Sequence, residues 1–557
     1  MRQENLRKLL DLLVDGEFAS KEKIEELENE SKATRTPIED LLVQNEILSD
    51  EQLGQLVADV NNWHFVNLEK EAVDPDIMKL IPEKVARKQR IIAYKKSDKG
   101  VFVGMTNPDD STIIHLLEKK LGAKIFPYYT TTQVLERQLK LYKSNISEEF
   151  EKIIKSNQRL KNTENDKTII ELVDELLSRG YEEGASDIHI EPFEENTLVR
   201  FRVDGLLKHI STFPKSYHDP LIARIKVMAH LRTDEHQTAQ DGKLQYLMEG
   251  EQVDVRVSVV PTTKGENAVM RLLAEKNKQL TMEEIGLGDV DYKKLSKSIQ
   301  NPWGMILVTG PTGSGKTTSL YSVLKILNRK TVNIATIEDP VEYNIDGITQ
   351  IQVNPKAKLT FATGLKSIVR QDPDIIMVGE IRDSETADIA VNSAMTGHLV
   401  LSTLHTNDAP TAIPRLLDMG IEAFLVSSTV NIIIAQRLLR KICPSCIHSY
   451  DATPDSLKTK LPESLIQKVT GGKDTVRLYI GKGCPVCNNT GYMGRTGVFE
   501  ILEVDDEIRK LIMSNANADM IREKAREKGM TTMIEDAVLK AKNGVTSVEE
   551  LIRVVKE

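Results

Sequence analysis

The stretch Val308-Thr309-Gly310-Pro311-Thr312-Gly313-Ser314-Gly315-Lys316-Thr317-Thr318 decides the fold of the largest part of this chain. It contains the pattern Gly-x4-Gly-Lys-Thr, which holds the phosphates of a nucleotide between a strand and a helix. Apolar residues at 305–308 predict a buried strand before it, and apolar residues at helical spacing predict a helix over 318–327 after it. The glycines let backbone N–H groups turn toward a phosphate, and the helix N-terminus adds unpaired donors. The stretch therefore predicts a nucleotide-binding site.

Each residue of this loop has an expected place at the nucleotide. Lys316 is expected to reach the β- and γ-phosphates, and the Thr317 hydroxyl is expected to ligate Mg²⁺. The alternative is a glycine-rich turn that binds nothing, and the succession of strand, loop and helix argues against it. The predicted ATP-binding residues are Gly310, Pro311, Thr312, Gly313, Ser314, Gly315, Lys316, Thr317 and Thr318.

The composition is that of a globular protein with several domains. A chain of 557 residues is too long for one hydrophobic core, so three or four domains are expected. Charged residues make up 28% and hydrophobic residues 40%, which is ordinary for such proteins. The net charge of −9 gives no overall attraction to nucleic acid, so we expect no nucleic-acid partner. We find no apolar run of membrane-spanning length and no secretory signal, and we expect a cytoplasmic protein.

Composition and spacing divide the chain into seven segments. An apolar pattern at 9–20 recurs at 38–49, which predicts two helical hairpins packed on one another. Asp204-Gly205 between two alternating stretches predicts a two-residue β-hairpin. The predicted segments are an N-terminal domain at 1–145 (tandem helical hairpins 1–62, then a mixed α/β part), a linker at 146–167, an α+β domain at 168–280, a linker at 281–292, the nucleotide domain at 293–440, a cysteine module at 441–490 and a helical C-terminal region at 491–557.

The nucleotide domain is predicted to be an α/β domain with a parallel, doubly wound sheet. Four apolar strands with polar ends alternate with helices, at 305–308, 334–337, 375–378 and 399–402. Ligands of such sheets bind at the carboxyl edge of the strands. Glu380 follows the third of these strands, and we expect it to orient or deprotonate the water that attacks ATP. The alternative is a glutamate with no catalytic role, whose negative charge only interacts favourably with the dipole at a helix N-terminus.

Further polar residues flank the other strands. Glu338, Asp339 and Glu342 follow the second strand and suit Mg²⁺ coordination through water, although a solvated acidic turn is the alternative. Asp374 comes directly before the third strand and is predicted to belong to the same Mg²⁺ environment. His405 follows the fourth strand, where a histidine could sense the γ-phosphate; a purely structural histidine is the alternative.

The four cysteines form two Cys-x-x-Cys pairs. They are Cys443, Cys446, Cys484 and Cys487. Such pairs supply a closed tetrahedral set of thiolates, which is typical of structural Zn²⁺ and leaves no position for a catalytic water. Free thiols or a disulfide are the alternatives.

Together these motifs resemble those of the hexameric secretion ATPases, the assembly motors of type IV pili and type II secretion. The resemblance rests on the phosphate loop, the acidic segment 336–343, the strand with its flanks at 370–383, the histidine segment 396–407, the cysteine module, and the motifs at 186–191 and 200–205. It implies a RecA-like ATPase domain preceded by a PAS-like α+β domain. It also implies ATP hydrolysis with Mg²⁺, coupled to mechanical work by a ring of six copies.

The resemblance extends to site residues and partners. It implies that Arg202 and Arg224 act on the nucleotide phosphates as arginine fingers. It implies docking on a polytopic inner-membrane platform protein, and hence a peripheral position at the inner face of the cytoplasmic membrane. The N-terminal repeat resembles a domain that binds cyclic di-GMP in some relatives. Its Arg-Leu-Gly signature is replaced here at 8–10 and 37–39, which favours a helical domain that docks a partner.

Three other functions are consistent with the same motifs. A pilus retraction ATPase shares the nucleotide domain, but retraction members of the family usually lack the N-terminal extension and the cysteine module. A nucleic-acid translocase shares the ATP chemistry, and the acidic balance of the chain argues against it. A signalling scaffold without catalysis would use the N-terminal domain alone.

Overall fold

The computed structural model describes residues 3–15, isolated positions between 19 and 48, residues 50–139 except 69 and 72, and residues 165–248, 251–273, 281–458 and 461–556. The chain forms two compact units, Met1–Glu148 and Glu149–Glu557. Nearly all of the predicted linker at 146–167 lies outside the described residues. No helix in the described ranges has both the length and the apolar character needed to cross a bilayer.

The first unit opens with the repeated sequence. Helix α1 (Gln3–Asp15) lies at the start of the repeated sequence and α2 (Asp50–Asn61) follows its end. Leu13 O accepts a hydrogen bond from Ala19 N at 3.3 Å, and at the matching positions of the second copy Leu42 O accepts one from Leu48 N at 3.3 Å. Apolar side chains of both copies share one core. The repeat in sequence is therefore a repeat in backbone geometry, although most residues between the two helices lie outside the described part.

A small sheet domain completes the first unit. Its elements are α3 (Pro75–Met78), α4 (Glu83–Gln89), β1 (Ile91–Ser97), β2 (Gly100–Met105), α5 (Ser111–Leu121), β3 (Ile125–Tyr129) and α6 (Thr132–Leu139). The sheet has the order β1-β2-β3, with β1 and β2 antiparallel and β2 and β3 parallel.

The second unit begins with an antiparallel sheet domain. Its elements are α7 (Asn165–Glu182), β4 (Ala185–Pro192), β5 (Asn196–Val203), β6 (Leu206–Pro214), α8 (His218–Met228), β7 (Gln240–Met248), β8 (Glu251–Thr262) and β9 (Gly265–Leu273). The strand order is β6-β5-β4-β9-β8-β7. Asp204 (φ 49°) and Gly205 (φ 86°) both have positive φ, as the predicted two-residue hairpin requires. Helix α7 packs on one face, so closely that a Cβ on Gly180 would lie 2.6 Å from Ile188 Cδ1.

The nucleotide domain and the cysteine module follow. The elements up to the first cysteine are α9 (Asp289–Ser298), β10 (Gly304–Thr309), α10 (Lys316–Leu327), β11 (Ile334–Glu338), β12 (Thr349–Gln352), α11 (Phe361–Ile368), β13 (Ile375–Val378), α12 (Ser384–Met395), β14 (Leu399–Leu404), α13 (Ala412–Asp418), α14 (Ala423–Thr429) and β15 (Val430–Ile442). The remaining elements are β16 (Ile447–Ala452), α15 (Pro454–Leu457), α16 (Glu463–Thr470), β17 (Val476–Gly481), β18 (Tyr492–Glu503), α17 (Asp506–Met513), α18 (Ala518–Glu527), α19 (Met533–Lys542) and α20 (Val548–Lys556).

The sheet of the nucleotide domain has seven strands in the order β12-β11-β13-β14-β10-β15-β18. Six strands run parallel, as predicted. The seventh, β18, runs antiparallel to β15, which the sequence did not predict. One apolar core lies on each side of the sheet. Because the cysteine module is inserted between β15 and β18, the sheet continues well past the predicted domain end at 440.

Two predicted segments need correction. The C-terminal region at 491–557 is not helical throughout, because it opens with β18, in which seven consecutive residues are buried. A short, continuous run of buried residues has no alternation of apolar and polar positions, so its sequence does not distinguish a strand from a helix. The segment 281–292 is not a free linker, because Met282, Ile285 and Leu287 are buried in the core beside the P-loop helix α10.

Candidate nucleotide-binding site

The phosphate loop connects the buried strand β10 to helix α10, as the sequence predicts. Gly310, Gly313 and Gly315 have φ of 145°, 80° and 88°, a region that residues with a side chain rarely adopt. Gly315 is the N-cap of α10, so the free N–H groups of the first helical turn border the loop. The backbone thus has the shape of an anion cradle at the carboxyl edge of the sheet.

The side chains of the loop fit a phosphate group. Lys316 Nζ folds over the loop and donates to the carbonyl oxygens of Gly310 at 2.8 Å and Pro311 at 3.1 Å. Burial lowers the pKa of Lys316, and the nearby Glu380 carboxylate opposes that shift. The buried Ser314 hydroxyl has no hydrogen-bond partner among the described residues. A buried polar group without a partner, beside a cation and a glycine loop, is consistent with a site for an anionic ligand.

Glu380 and His405 meet at the ends of neighbouring strands. Glu380 lies two residues beyond β13, and His405 directly follows β14, which pairs with β13 in parallel. His405 Nε2 lies 3.2 Å from Glu380 Oε2. The other carboxylate oxygen is 2.6 Å from Arg382 Nη2, and the Glu380 side chain is 13% exposed. Arg382 was not predicted, although its position in the same loop as Glu380 was a usable signal.

The acidic segment after β11 is tied to the P-loop helix. The carboxylate of Glu338 is buried and accepts hydrogen bonds from Thr336 Oγ1 at 2.6 Å, from Gln350 Nε2 at 3.2 Å and from the Tyr321 hydroxyl. Tyr321 lies on α10 and is fully buried. Asp339 is exposed. These hydrogen bonds therefore hold the segment against the helix that begins at the phosphate loop.

Asp374 does not lie near the predicted Mg²⁺ position. It precedes β13, and its carboxylate accepts a hydrogen bond from Asn333 N, at the start of β11, at 2.7 Å. Both residues lie at the amino edge of the parallel sheet, opposite the edge that carries Lys316. A four-residue strand spans about 13 Å. The assignment of Asp374 to Mg²⁺ is therefore wrong, because its strand carries carboxylates at both ends and only Glu380 lies at the ligand edge.

A row of charged residues crosses the sheet of the preceding domain. Cross-strand pairing places them side by side on β7, β8, β9, β4 and β5, in the order Lys243, Arg256, Arg271, Asp187 and Arg202. Successive residues of a strand point to opposite faces of the sheet, so Ile188 and the neighbouring Asp187 lie on different faces. Gly180 of α7 contacts Ile188, and the charged row therefore lies on the face that α7 does not cover. Part of the row borders a cavity of about 550 Å³, which Pro340 and Gln352 of the nucleotide domain close from the other side.

Arg256 joins the two domains directly. Its Nη1 lies 2.9 Å from Glu342 Oε2, and its Nη2 donates to the Val341 carbonyl oxygen. Glu342 N in turn donates to the Tyr321 hydroxyl at 3.2 Å. A continuous path of contacts thus runs from strand β8 of the antiparallel sheet to helix α10, which begins at the phosphate loop. Arg256 and Arg271 were not predicted, although the alternation of Val253-Asp254-Val255-Arg256 placed the arginine on the polar face of its strand.

The two predicted arginine fingers have different positions. Arg202 lies at the end of the charged row, where its Nη1 donates to Gly205 O at 3.0 Å. Arg224 lies on α8, close to Tyr246, on the face of the sheet that carries the helices. This face points away from the cavity, so Arg224 does not face the phosphate loop of its own subunit, and its role as an arginine finger stays a prediction that requires a nucleotide bound by a neighbouring subunit. The sequence of a helix does not show which face of a sheet it covers.

The four cysteines converge, with their sulfur atoms all within 4.8 Å of one another. The Cys443–Cys484 and Cys446–Cys487 Sγ distances are both 3.9 Å, and Cys484–Cys487 is 3.7 Å. Thiolates about 2.3 Å from a tetrahedral Zn²⁺ would lie about 3.8 Å apart, whereas a disulfide needs about 2.05 Å. The donor set therefore fits a metal ion, and all four thiols are free.

Backbone donors favour a thiolate at this cluster. The N–H groups of Cys484 and Gly491 both donate to Cys487 Sγ at 3.2 Å. Burial raises the pKa of the Cys487 thiol, but these donors, together with hydrogen bonds to the Cys484 and Cys446 thiols, outweigh burial and bring the pKa to about 7. Hydrogen bonds of this kind orient a cysteine sulfur for a metal.

The nucleotide domain and the domain before it match one known family along their whole length. Residues 162–553 match the family described as type II/IV secretion system protein. The chain belongs to this family. The type II secretion system ATPase E of Vibrio cholerae is 44% identical over 448 residues, which cover 80% of this chain and 87% of that protein. The type IV pilus assembly ATPase PilB of Myxococcus xanthus is 36% identical over 562 residues, 98% of each chain.

Two further comparisons concern the domains. Residues 62–148 match the MshEN domain. The X-ray structure of the Legionella pneumophila ATPase DotB aligns with a TM-score of 0.51, at 21% identity, over 69% of this chain and 95% of that chain, which shows a shared fold. The predicted fold class, a P-loop ATPase domain preceded by an α+β domain and a helical N-terminal part with a tetracysteine module, is confirmed. The chain is an ATPase of the secretion family.

Proposed function

We propose that this chain hydrolyses ATP to power assembly of a type IV pilus or a type II secretion pseudopilus. The observation that carries the proposal is the placement of Glu380 and His405 beside the loop that holds Lys316, in a chain of the secretion family. Relatives that share most of its length are named as pilus assembly and type II secretion ATPases. This favours assembly over retraction.

Each site residue has a proposed part in hydrolysis. The loop 310–318 cradles the phosphates, and Lys316 exchanges its two carbonyl contacts for phosphate oxygens. Thr317 would hold Mg²⁺ through its hydroxyl, and Asp339 and Glu342 would hold it through water. Mg²⁺, when bound, neutralises charge that develops on the phosphates. Glu380 orients and deprotonates the attacking water, while His405 and Arg382 hold its carboxylate at the ligand edge.

We propose that cations from the preceding domain complete the site. Arg256 and Arg271 border the cavity beside the acidic segment, and Arg202 lies at the end of the same row. Such a row would act across the boundary between domains or between subunits, so domain rotation and phosphate chemistry would be coupled. The proposal includes a ring of six copies that acts on a polytopic inner-membrane platform protein, from the inner face of the cytoplasmic membrane.

Arg256→Ala is expected to lower kcat about 10-fold or more, because a charged hydrogen bond contributes about 1.5–3 kcal/mol. The matched control is Arg232→Ala, whose side chain is 71% exposed and pairs with nearby Asp234. Steady-state phosphate release measures both variants. A Glu342→Ala variant and the double variant then show whether the two residues act together. Equal kcat in the Arg256→Ala and Arg232→Ala variants would contradict a role for the charged row.

The cysteine cluster is proposed to hold structural Zn²⁺. Cys446→Ser is expected to reduce bound zinc from about one ion per chain to near zero, because a structural site needs all four ligands. The melting temperature should fall with it, since strands β15 and β18 flank the module. Elemental analysis by mass spectrometry measures the metal. Ser445→Ala, an exposed residue between two ligands, is the control. Full zinc content in Cys446→Ser would refute the four-thiolate site.

The biological role is tested in cells that lack the chain. Wild-type protein is expected to restore surface filaments or secretion, and the Lys316→Ala variant is expected to restore neither. Restored retraction without assembly would favour the retraction motor. ATP hydrolysis stimulated by polynucleotides would favour a nucleic-acid translocase.

The N-terminal unit is proposed to dock a partner protein rather than cyclic di-GMP. The residues at 8–10 and 37–39 lack the arginine and glycine of the cyclic di-GMP signature. Titration of the full chain with labelled cyclic di-GMP decides between the two, and saturable binding would overturn the proposal.

A further inference from the structure

Gln436 on strand β15 lies beneath both ends of the phosphate loop. It is buried, with 1% of its surface exposed. A Cβ on Gly310, at the start of the loop, would collide with the Gln436 carbonyl oxygen, and a Cβ on Gly315, at its end, would lie 2.8 Å from Gln436 Nε2. The two glycines therefore let the loop rest directly on this one residue. The backbone of Gln436 supports one end, and its side chain supports the other.

The Gln436 side chain is also fixed to the P-loop helix. Ser319 Oγ, in the first turn of α10, donates to Gln436 Oε1 at 2.6 Å. Ser319 is 1% exposed, so neither group is in contact with bulk water. With Oε1 held by this hydroxyl, the NH₂ group of the amide faces Gly315. The amide thus spans from strand β15 to the point where the loop becomes helix.

We propose that Gln436 is a positioning residue that holds the phosphate loop in its binding shape. The loop binds phosphate only when successive backbone N–H groups point at one spot, and that shape needs positive φ at Gly313 and Gly315. Contacts at both ends of a short loop restrict its other shapes, so less ordering is left for the nucleotide to impose. The inference rests on the proposed ATP site and adds a residue that does not touch the nucleotide.

Asn431 on the same strand provides a matched control. Its amide packs against Gly304 at the start of β10, where a Cβ on that glycine would collide with it, and its Nδ2 donates to Trp303 O at 3.0 Å. Asn431 and Gln436 therefore make similar contacts with opposite ends of β10. Of these two residues, Gln436 contacts the phosphate loop and Asn431 contacts the other end of β10.

The experiment measures the affinity of the full chain for a fluorescent ATP analogue with Mg²⁺, together with KM, kcat and melting temperature. Gln436→Leu keeps the volume and removes the amide, and it is expected to raise Kd and KM about 10-fold, with a smaller change in kcat. Ser319→Ala should raise Kd less, and adding it to Gln436→Leu should change little, because the two groups form one contact. Asn431→Leu should lower the melting temperature and leave Kd unchanged.

Three outcomes would decide against the inference. Wild-type Kd in Gln436→Leu would overturn it, and so would an equal rise in Kd in Asn431→Leu. If Gln436→Leu does not fold, Gln436→Asn retains an amide that is too short to reach Ser319 and is expected to show the same rise; a wild-type Kd in that variant would overturn the inference. Absence of binding by the wild-type chain would refute the proposed ATP site itself.

Discussion

Replacement of Lys316 by alanine is expected to reduce ATP hydrolysis at least about 100-fold, because a fixed cation at developing phosphate charge contributes several kcal/mol in a site shielded from water. Lys316 Nζ already lies over the loop, 2.8 Å from Gly310 O, so the phosphates would meet it without a large movement of the side chain. Burial lowers the pKa of Lys316, and the Glu380 carboxylate counteracts this, which helps keep the ammonium charged. Phosphate release under saturating ATP is the measurement.

Lys330→Ala is the control for this prediction. Lys330 is exposed beyond the end of the same helix, so its loss removes a positive charge from the domain without touching the loop. Hydrolysis by this variant should equal that of the wild type. If Lys316→Ala hydrolyses ATP at the rate of Lys330→Ala, the loop 310–318 does not hold the nucleotide as proposed.

The sequence predicted well those features that depend on neighbouring residues. The loop at 310–318 is bounded by the strand and helix that its pattern requires, and Asp204-Gly205 forms the hairpin turn. Strand ends also predicted part of the site, since parallel neighbours place Glu380 next to His405. In each case the required information lies within a few residues or follows from strand direction alone.

Features that depend on tertiary packing were not predicted. The error at Asp374 is of another kind: Asp374 precedes β13 and Glu380 follows it, so the rule that ligands bind at the carboxyl edge of parallel strands already excluded Asp374. The position of Arg224 depends on the face of the sheet that α8 covers. Strand β18 is buried on both sides as an edge partner of β15, so its sequence lacks the alternation that marks a half-exposed strand.

The connection between the two domains of the second unit is likewise a tertiary feature. Arg256 contacts Glu342 and Val341, and the Glu342 backbone contacts Tyr321 on the P-loop helix. Any rotation of the antiparallel domain would therefore pull on the acidic segment beside the nucleotide. The proposed coupling of domain rotation to phosphate chemistry would run through these contacts.

Glu380→Gln is expected to separate binding from chemistry. The amide has almost the same shape as the carboxylate, so the loop and Lys316 should still bind ATP with similar affinity. A glutamine cannot accept the proton of the attacking water, and loss of such a base lowers rates by about 10²–10⁴-fold. The variant should therefore bind a fluorescent ATP analogue normally and release almost no phosphate, whereas Lys316→Ala should be impaired in both.

Glu385→Gln is the matched control for Glu380→Gln. Glu385 lies in the first turn of α12, its side chain is 62% exposed, and it pairs with Lys366 at 2.7 Å. Neutralising it removes the same charge from nearly the same stretch of chain, so an effect of charge alone would appear in both variants. Hydrolysis in Glu385→Gln should remain at the wild-type rate.

Wild-type hydrolysis in Glu380→Gln would contradict the proposed role of Glu380. Because His405 and Arg382 both contact the Glu380 carboxylate, that result would mean that these residues converge on a structural glutamate. The base would then have to be sought among other carboxylates at this edge of the sheet, such as Asp339 and Glu342.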